Sequence, residues 1–242
     1  DNIRKVEALA ASRETFIANM AHELKTPLTS ILGFADIMTI KSHMPEEERR
    51  ECASIIAAEA RRLKSLSSKL MSLQGTALVL HPVDLGELAE KAVQALEPVC
   101  RKRRCTIRKD LVPVTVQADG ELLMSLLLNL LDNALKASAL KGENQRIGVS
   151  LEKGDGRAVI RVRDYGIGIP REDWERIFDR FYRVDKARSR ESGGTGLGLS
   201  IARELMLRHG GSIGLTDHRG PGTTVRLTLP IRQPAAPEDR HE

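Results

Sequence analysis

Aromatic residues are scarce in this chain of 242 residues, in which Phe, Tyr and Trp together account for 3%. Proteins that bind single-stranded nucleic acid stack the bases on aromatic side chains, so the composition argues against that class. The formal net charge of +5 does not reverse this conclusion. The densest basic run, residues 101–104, lies where a predicted helix ends, and cations there interact favourably with the helix dipole. We therefore favour a solvated helix end, with a nucleic-acid patch as the alternative.

Cysteines are also few, and long apolar runs are missing. Cys52, Cys100 and Cys105 have neither the spacing of zinc ligands nor an even number for disulfide pairing, which fits a reducing compartment. No apolar run approaches the roughly 18 residues that a membrane-spanning helix needs, and no signal peptide opens the chain. With 41% hydrophobic and 29% charged residues, we expect a soluble globular protein of one or two domains. The first residues have the pattern of a charged helix interior, from which we expect a longer parent protein.

A heptad repeat predicts an amphipathic helix over residues 17–38. Its two seam positions are occupied by Ile17, Leu24, Ile31 and Met38 and by Met20, Pro27 and Phe34. A turn is predicted at residues 42–48, with Pro45 at the first position of a second helix that runs to about Gln74. One such hairpin has too little core to be stable alone, whereas two make a four-helix bundle. We therefore predict a homodimer.

The same heptad directs His22 to solvent, at the position farthest from the seam, with Glu23 beside it. An exposed histidine is usually only a solvated side chain, but a neutral imidazole is a good nucleophile and a neighbouring carboxylate can accept its proton. Pro27 has no N–H for the carbonyl of Glu23, so a bend is expected next to His22. An ordinary interhelical salt bridge is the alternative role for Glu23, and the sequence leaves the two roles open.

The heptads end at residue 75, and from there we predict an α+β sandwich with helices on one face of a mixed sheet. Asp84 and Asp119 are predicted to cap helices that reach about Cys100 and Ala139, and a third helix is expected over about 197–208. Strands are predicted in the segments 77–85, 105–111, 114–119, 146–153, 157–164, 211–216 and 223–230. The expected domains are residues 1–75 and 76–232, followed by a disordered polar tail, 233–242.

Two glycine clusters bracket the segment 169–192. The first, in the sequence DYGIGIP, follows a predicted strand and contains Gly166 and Gly168, which permit close approach of a ligand. The second, in GGTGLGLSIA, precedes a helix, where free N–H groups attract phosphates. Neither cluster is a P-loop or a Rossmann turn.

Two asparagines lie four residues apart in an apolar helix, and Lys136 follows on the same face. Asn129 and Asn133 either make a polar interhelical contact or place an amide oxygen on Mg²⁺ with the lysine at a phosphate. Four of the aromatic residues crowd into residues 174–182, which either anchor a mobile lid or fill the core. Arg183 follows directly and could reach a phosphate.

Five motifs together identify a family. HELKTP, NLLDNALK, DYGIGI, IFDRFYR and GGTGLGL resemble, in order and spacing, the H, N, G1, F and G2 boxes of bacterial two-component sensor histidine kinases. The resemblance implies a dimerising phosphotransfer hairpin followed by a Bergerat-type ATP-binding domain. It also implies a cytoplasmic kinase core whose parent protein is anchored in the bacterial inner membrane.

The resemblance assigns roles to the motif residues. His22 would be the phosphoacceptor that attacks the γ-phosphate of ATP, Glu23 the base, and Thr26 a residue that positions water during dephosphorylation of the partner. Asn133 would bind Mg²⁺ with Asn129 as its companion. Lys136 would lie at the phosphates, Asp164 would accept a hydrogen bond from the adenine amino group, and Arg183 would stabilise the transferring phosphoryl group. The remaining residues implied at the ATP site are Gly166, Gly168, Gly194, Thr195, Gly196, Leu197 and Gly198.

The implied activity is ATP-dependent autophosphorylation, with transfer to an aspartate of a response regulator and dephosphorylation of that regulator. We expect the regulator to dock on the hairpin near Ser30 and Gly33, whose small side chains leave room for a helix. Ala137 stands where many relatives have an aromatic residue, so we expect looser packing around the nucleotide. The alternatives are a clamp-type ATPase of the same fold, a phosphotransfer module without kinase activity, and a structural coiled coil.

Overall fold

The computed structural model describes residues 2–41, 43–71, 77–140, 145–185, 196–217 and 220–231. By its internal contacts the chain divides into two compact units. One comprises Asp1–Gln74 and Arg180–Leu197, and the other Gly75–Asp179 and Gly198–Glu242. The domain boundary predicted at residues 75–76 did not anticipate that Arg180–Leu197 would group with the helical unit.

The helical unit contains the predicted hairpin, with α1 at Asn2–Ile40 and α2 at Glu46–Met71. Pro45 precedes α2 by one residue, and its carbonyl accepts a hydrogen bond from the N–H of Arg49 at 3.0 Å. The predicted end of the second helix, residues 72–74, lies outside the described residues. Between the helices Pro27, Cys52 and Leu66 are buried.

The first helix is continuous across Pro27. The hydroxyl of Thr26 donates to the carbonyl of His22 at 3.2 Å, one turn back along the helix. The bend at Pro27 therefore stays a prediction, since a proline can be accommodated within an unbroken helix whose other hydrogen bonds persist.

The second unit contains the predicted mixed sheet. The described strands of this unit are β1 His81–Asp84, β2 Cys105–Leu111, β3 Thr115–Ala118, β4 Gln145–Gly154, β5 Arg157–Asp164, β6 Ser212–Leu215 and β7 Thr224–Pro230. In the described part of the chain the order of the mixed sheet is β2-β4-β5-β7-β6, with β2 parallel to β4 and the other pairs antiparallel. Asp155 and Gly156 both have positive φ, which makes the predicted tight hairpin between β4 and β5. A separate antiparallel pair joins β1 to β3.

Three described α-helices pack in this unit: α3 Leu85–Lys102, α4 Gly120–Ala139 and α5 Gly198–Arg208. Two short 3-10 helices, Arg171–Asp173 and Arg176–Phe178, precede α5. Asp84 caps α3 by accepting from the N–H groups of Gly86 and Glu87, and Asp119 caps α4 by accepting from that of Leu122. The basic run begins in the last turn of α3, as predicted. The predicted fold class, a helical hairpin followed by an α+β domain, is therefore confirmed.

Helix α4 is the core of the second unit. An 18-residue window reaches a mean hydropathy of 1.2, so by length and composition this helix could cross a membrane, contrary to the sequence prediction. Eight of its 20 residues are buried inside the unit. The buried residues are Leu123, Leu126, Leu127, Leu130, Leu131, Ala134, Leu135 and Ser138.

Candidate functional site

The polar face of α4 contributes three of the predicted site residues. Asn129 and Asn133 are half-buried, one turn apart, and Lys136 lies one turn further on. The ammonium of Lys136 pairs with Asp132 at 2.7 Å, an exposed pair that a phosphate could replace at small cost. The three side chains therefore form one polar strip on an otherwise apolar helix.

Asp164 ends β5 and is buried, with 6% of its surface exposed. Its Oδ1 accepts hydrogen bonds from the N–H groups of Gly166 at 2.9 Å and Thr223 at 3.2 Å. Backbone donors of this kind hold a buried carboxylate in one orientation. The sheet thus presents a fixed acceptor at the end of β5, which suits recognition of an N–H donor on a ligand.

The loop after β5 packs directly on the end of α4. A Cβ atom at Gly166 would lie 2.2 Å from the carbonyl oxygen of Ala137, so only glycine permits this contact. Gly222 is equally constrained, since its Cβ would lie 2.0 Å from the carbonyl oxygen of Asp164. Gly168, which lies against Gly222, has a φ of +77°, a conformation that favours glycine. The glycines are therefore required by packing, and their predicted role in nucleotide approach stays a prediction.

Gly198 brings the start of α5 to the strip on α4. Its Cβ would lie 2.6 Å from Oδ1 of Asn129, so the helix N-terminus touches this asparagine. Four features therefore meet in one place: the polar strip, the end of β5, the N-terminus of α5, and the loop that contains Gly166 and Gly168, here called the glycine loop. Gly194 and Thr195 lie outside the described residues.

The aromatic segment is anchored in the same unit up to Phe178. The indole N–H of Trp174 donates to the carbonyl of Ile169 at 3.1 Å, and Ile177 is buried. The guanidinium of Arg203, on α5, lies 5.9 Å from the centre of the Phe178 ring. These contacts fit both an anchor and ordinary core filling.

The helical unit holds Glu23 in ion pairs. His22 is exposed, whereas the neighbouring Glu23 side chain is only 16% exposed. Arg183 lies 2.6 Å from Oε1 of Glu23, and Arg62 of α2 lies 3.7 Å from Oε2. Glu59 in turn pairs with Arg62 at 3.7 Å. The interhelical ion pair left open by the sequence is therefore present, and Arg183, placed by resemblance at a phosphate, contacts Glu23.

Arg183 is itself buried, with 8% of its side chain exposed. Its Nε has no hydrogen-bond partner in the part of the chain that the structure describes. A buried donor without an acceptor costs roughly 1–3 kcal/mol. This N–H is therefore available for an anionic ligand.

His209 is a buried residue that the sequence reasoning missed. Its Nδ1 lies 2.7 Å from the carbonyl of Leu205, and its Nε2 lies 3.1 Å from the N–H of Asp119. Because a carbonyl only accepts and an N–H only donates, the ring is neutral with its proton on Nδ1. It ties the end of α5 to the start of α4, and no periodicity links these positions.

Protein groups alone form no metal cage in the described ranges, where no cluster of three or more His, Cys, Asp and Glu side chains occurs. Mg²⁺ commonly takes one or two protein oxygens and completes its shell with water and phosphates. The half-buried amide of Asn133 fits that mode of binding.

The chain matches two protein families. Residues 12–74 match the His Kinase A (phospho-acceptor) domain, and residues 118–233 match the histidine kinase-, DNA gyrase B- and HSP90-like ATPases. The sensor histidine kinase YkoH of Bacillus subtilis (strain 168) is 37% identical over 219 residues, which cover 89% of this chain and 47% of the relative. The sensor-like histidine kinase SenX3 of Mycolicibacterium smegmatis is 36% identical over 228 residues, 92% of this chain and 58% of the relative. The chain thus spans about half the length of these two relatives.

Solved structures give the same result. The mycobacterial sensor histidine kinase MprB is 32% identical with a TM-score of 0.53, over 63% of this chain and 97% of that one. The histidine kinase ThkA in complex with the response regulator protein TrrA is 26% identical with a TM-score of 0.74, over 99% of this chain and 69% of that one.

Proposed function

Because the chain belongs to the sensor histidine kinases, we propose that it is a kinase core that uses ATP to phosphorylate His22 and then phosphorylates an aspartate of a response regulator. We also propose that it dephosphorylates that regulator. The domains would be a phosphotransfer hairpin at residues 1–75 and an ATP-binding domain at 76–232, with a tail at 233–242.

The observation that carries the proposal is the pairing of an exposed histidine with a restrained carboxylate. His22 is open to solvent, and the adjacent Glu23 is held by Arg183 and Arg62. An exposed imidazole can be reached by a nucleotide, and a carboxylate fixed beside it can accept its proton. The uncommitted Nε of Arg183 supports a role for this arginine at the transferred phosphoryl group.

In the proposed reaction, a nitrogen of His22 bonds to the γ-phosphorus while the bond from phosphorus to the bridging oxygen breaks and ADP leaves. The ring N–H proton passes to Glu23. Before that transfer, Arg183 must release Oε1 of Glu23, which it contacts at 2.6 Å. Movement of Arg183 from the carboxylate to the phosphoryl oxygens would free the base and stabilise the transition state in one step.

ATP would bind where α4, the end of β5 and the N-terminus of α5 meet. The carboxylate of Asp164 would accept from the adenine amino group, and Lys136 would exchange Asp132 for a phosphate. Asn133, with Asn129 beside it, would hold Mg²⁺, which neutralises phosphate charge when bound. Gly196, Leu197 and Gly198 would complete the site together with the glycine loop.

The proposal is tested by incubating the chain with γ-labelled ATP and Mg²⁺. We expect label on the wild type, none on His22→Gln, and unchanged label on His43→Gln, because His43 is an exposed histidine in the turn outside the motif. Hydrolysis of ATP without labelling would favour a clamp-type ATPase. Absence of turnover, with label accepted from a phosphorylated receiver domain, would favour a phosphotransfer module.

Docking of a response regulator on the hairpin is tested at Gly33, which is exposed and has no atom within 4 Å of an added Cβ. Gly33→Leu therefore fits the hairpin without strain. We expect it to retain autophosphorylation and to slow transfer to the receiver domain by tenfold or more, about 1.4 kcal/mol. Equal transfer rates would place the docking surface elsewhere.

The chain would act as a homodimer through the hairpin. A cytoplasmic location of this core and anchoring of its parent protein in the inner membrane are proposed from the relatives, which are named sensor kinases.

A further inference from the structure

The sheet of the second unit has two faces of different chemistry. On β4 the side chains of Ile147, Val149 and Leu151 are buried, whereas Gly148 and Ser150 point to the other face. On β5 Asp164 is buried on the inner face, whereas Arg161 and Arg163 lie on the outer face. The outer face is therefore polar and is separated from the predicted ATP site by the thickness of the sheet.

Two neighbouring rows of this outer face place arginines around a floor of small residues. The first row pairs Arg108 with Gly148 and Gly148 with Arg163. The second row runs from Asp110 on β2 through Ser150 and Arg161 to Arg226 on β7. Because neighbouring strands lie about 4.8 Å apart, the arginine backbones on β2 and β5 stand about 10 Å apart across the floor on β4.

The result is an open trough of about 650 Å³. This volume lies within the range of roughly 300–1,000 Å³ that is usual for small-molecule sites. The side chains of Thr216 and Thr224 also line it and supply hydroxyl groups. Arg163 stacks on Tyr165, with its guanidinium carbon 4.5 Å from the ring centre, which fixes the direction of that arginine.

The trough is lined by five basic side chains and two acidic ones, Asp110 and Asp217, and Asp217 is paired with Arg171, so the charge of the trough is mainly positive. Arg161 is paired with Glu152 at 2.6 Å. Neither Arg108 nor Arg226 has an ion-pair partner within 4.0 Å among the residues that the structure describes. Arginines gathered at one site repel one another unless an anion lies between them, and guanidinium groups bind phosphate oxygens in pairs of hydrogen bonds.

We propose that this trough is a second ligand site, which binds a compact soluble molecule with one or more phosphate groups. A concave floor one strand wide suits such a ligand better than a protein surface, which would need about 800 Å² of contact. The phosphates would lie over Gly148 and Ser150, where absent or small side chains let them approach the backbone. This site would be independent of the predicted kinase activity.

The test uses inorganic pyrophosphate as the probe, with the predicted ATP site first saturated by a non-hydrolysable ATP analogue. Gly148→Glu places a carboxylate on the floor, and its Cβ meets only Cβ of Arg163 at an ordinary 3.8 Å. The double variant Arg108→Gln, Arg226→Gln removes charge from both ends without filling the floor. Arg157→Gln is the control, because Arg157 is exposed on the same face of β5 but does not line the trough.

Calorimetry at constant ionic strength should give one pyrophosphate per chain, with the Kd raised about tenfold or more in both trough variants and unchanged in Arg157→Gln. Circular dichroism and binding of the ATP analogue verify that the variants are folded. Absence of pyrophosphate binding, or equal binding by the trough variants, would overturn the proposal. Binding of polyglutamate but not of pyrophosphate, lost in Gly148→Glu, would also overturn it and indicate an acidic protein partner.

Discussion

The carboxylate of Glu23 is shared by two guanidinium groups that arrive from different parts of the chain. Arg62 belongs to α2, whereas Arg183 is 160 residues away. The heptad correctly places His22 at the surface, because helical periodicity determines which side faces solvent. It could not predict the partner of Glu23, since no local pattern connects residues this far apart.

The two arginines allow a test of the role of Arg183. Arg183→Gln should lower the autophosphorylation rate by about 100-fold, because it removes the proposed charge at the phosphoryl group. Arg62→Gln disturbs the same carboxylate at a longer distance and should lower the rate by less than tenfold. Single-turnover kinetics with labelled ATP measures both. Similar losses would show that Arg183 acts only through Glu23.

The two cysteines at the junction of α3 and β2 provide a test of pH dependence. Both thiols are buried, and burial raises the pKa of Cys100 above its ordinary value and that of Cys105 to about 11. The unfolded chain releases these protons near pH 9.0, so above that pH the folded chain holds more protons than the unfolded chain does. The contribution of Cys105 to stability is complete below pH 9.0 and is lost as the pH rises toward about 11, and that of Cys100 is lost in the same direction.

Urea unfolding of the wild type and of Cys100→Ala, Cys105→Ala measures this effect. We expect the midpoint of the wild type to fall more steeply above pH 9.0 than that of the double variant. Parallel pH profiles would contradict the assignment. The native thiols should also react slowly with iodoacetamide, since buried thiols are inert.

At the scale of elements, α4 was largely predictable. Its apolar pattern and the cap at Asp119 determined both ends, and the spacing of Asn129 and Asn133 put them on one face. The close approach of Gly166 to the carbonyl oxygen of Ala137 could not be predicted from the sequence. It joins backbone to backbone, and such a contact leaves no side-chain pattern in the sequence. The glycine motif could therefore be recognised in the sequence, whereas the backbone contact that requires glycine there could not.

Gly166→Ala should destabilise the second unit by about 1–3 kcal/mol, because the new methyl group overlaps the end of α4. It should also weaken binding of an ATP analogue, since the N–H of Gly166 donates to the carboxylate of Asp164 at the end of β5. Gly154→Ala is the matched control, because nothing lies within 4 Å of its Cβ. Thermal unfolding and calorimetry give both quantities. Equal behaviour of the two variants would show that the close contact is unimportant.

The hairpin leaves apolar surface that a further copy of the chain could cover. Several large apolar side chains of α1 are exposed in the single chain, among them Ile17 at 55%, Leu32 at 61% and Ile40 at 80%. Ile17 occupies a predicted seam position, so its exposure is what a hairpin without its partner should have. The heptad thus predicts more apolar contacts along the seam than a single hairpin makes.

The proposed homodimer is tested at neighbouring positions of α1. Ile17→Glu should raise the dimer dissociation constant by at least about 100-fold, because two copies of the side chain lose apolar burial. Ala18→Glu introduces the same charge at an exposed position outside the seam and should have little effect. Analytical ultracentrifugation compares them. Equal dissociation constants would contradict assembly through this seam.

The position of the phosphoryl group after reaction with ATP is the most direct test of the proposed kinase reaction. Peptide mass spectrometry at neutral pH, with lability to acid and stability to base, locates a phosphohistidine. We expect one phosphoryl group on the peptide that contains His22, and none there in Asn133→Ala, which lacks the proposed Mg²⁺ ligand. Phosphate on another residue, or ATP consumed with His22 unmodified, would contradict it.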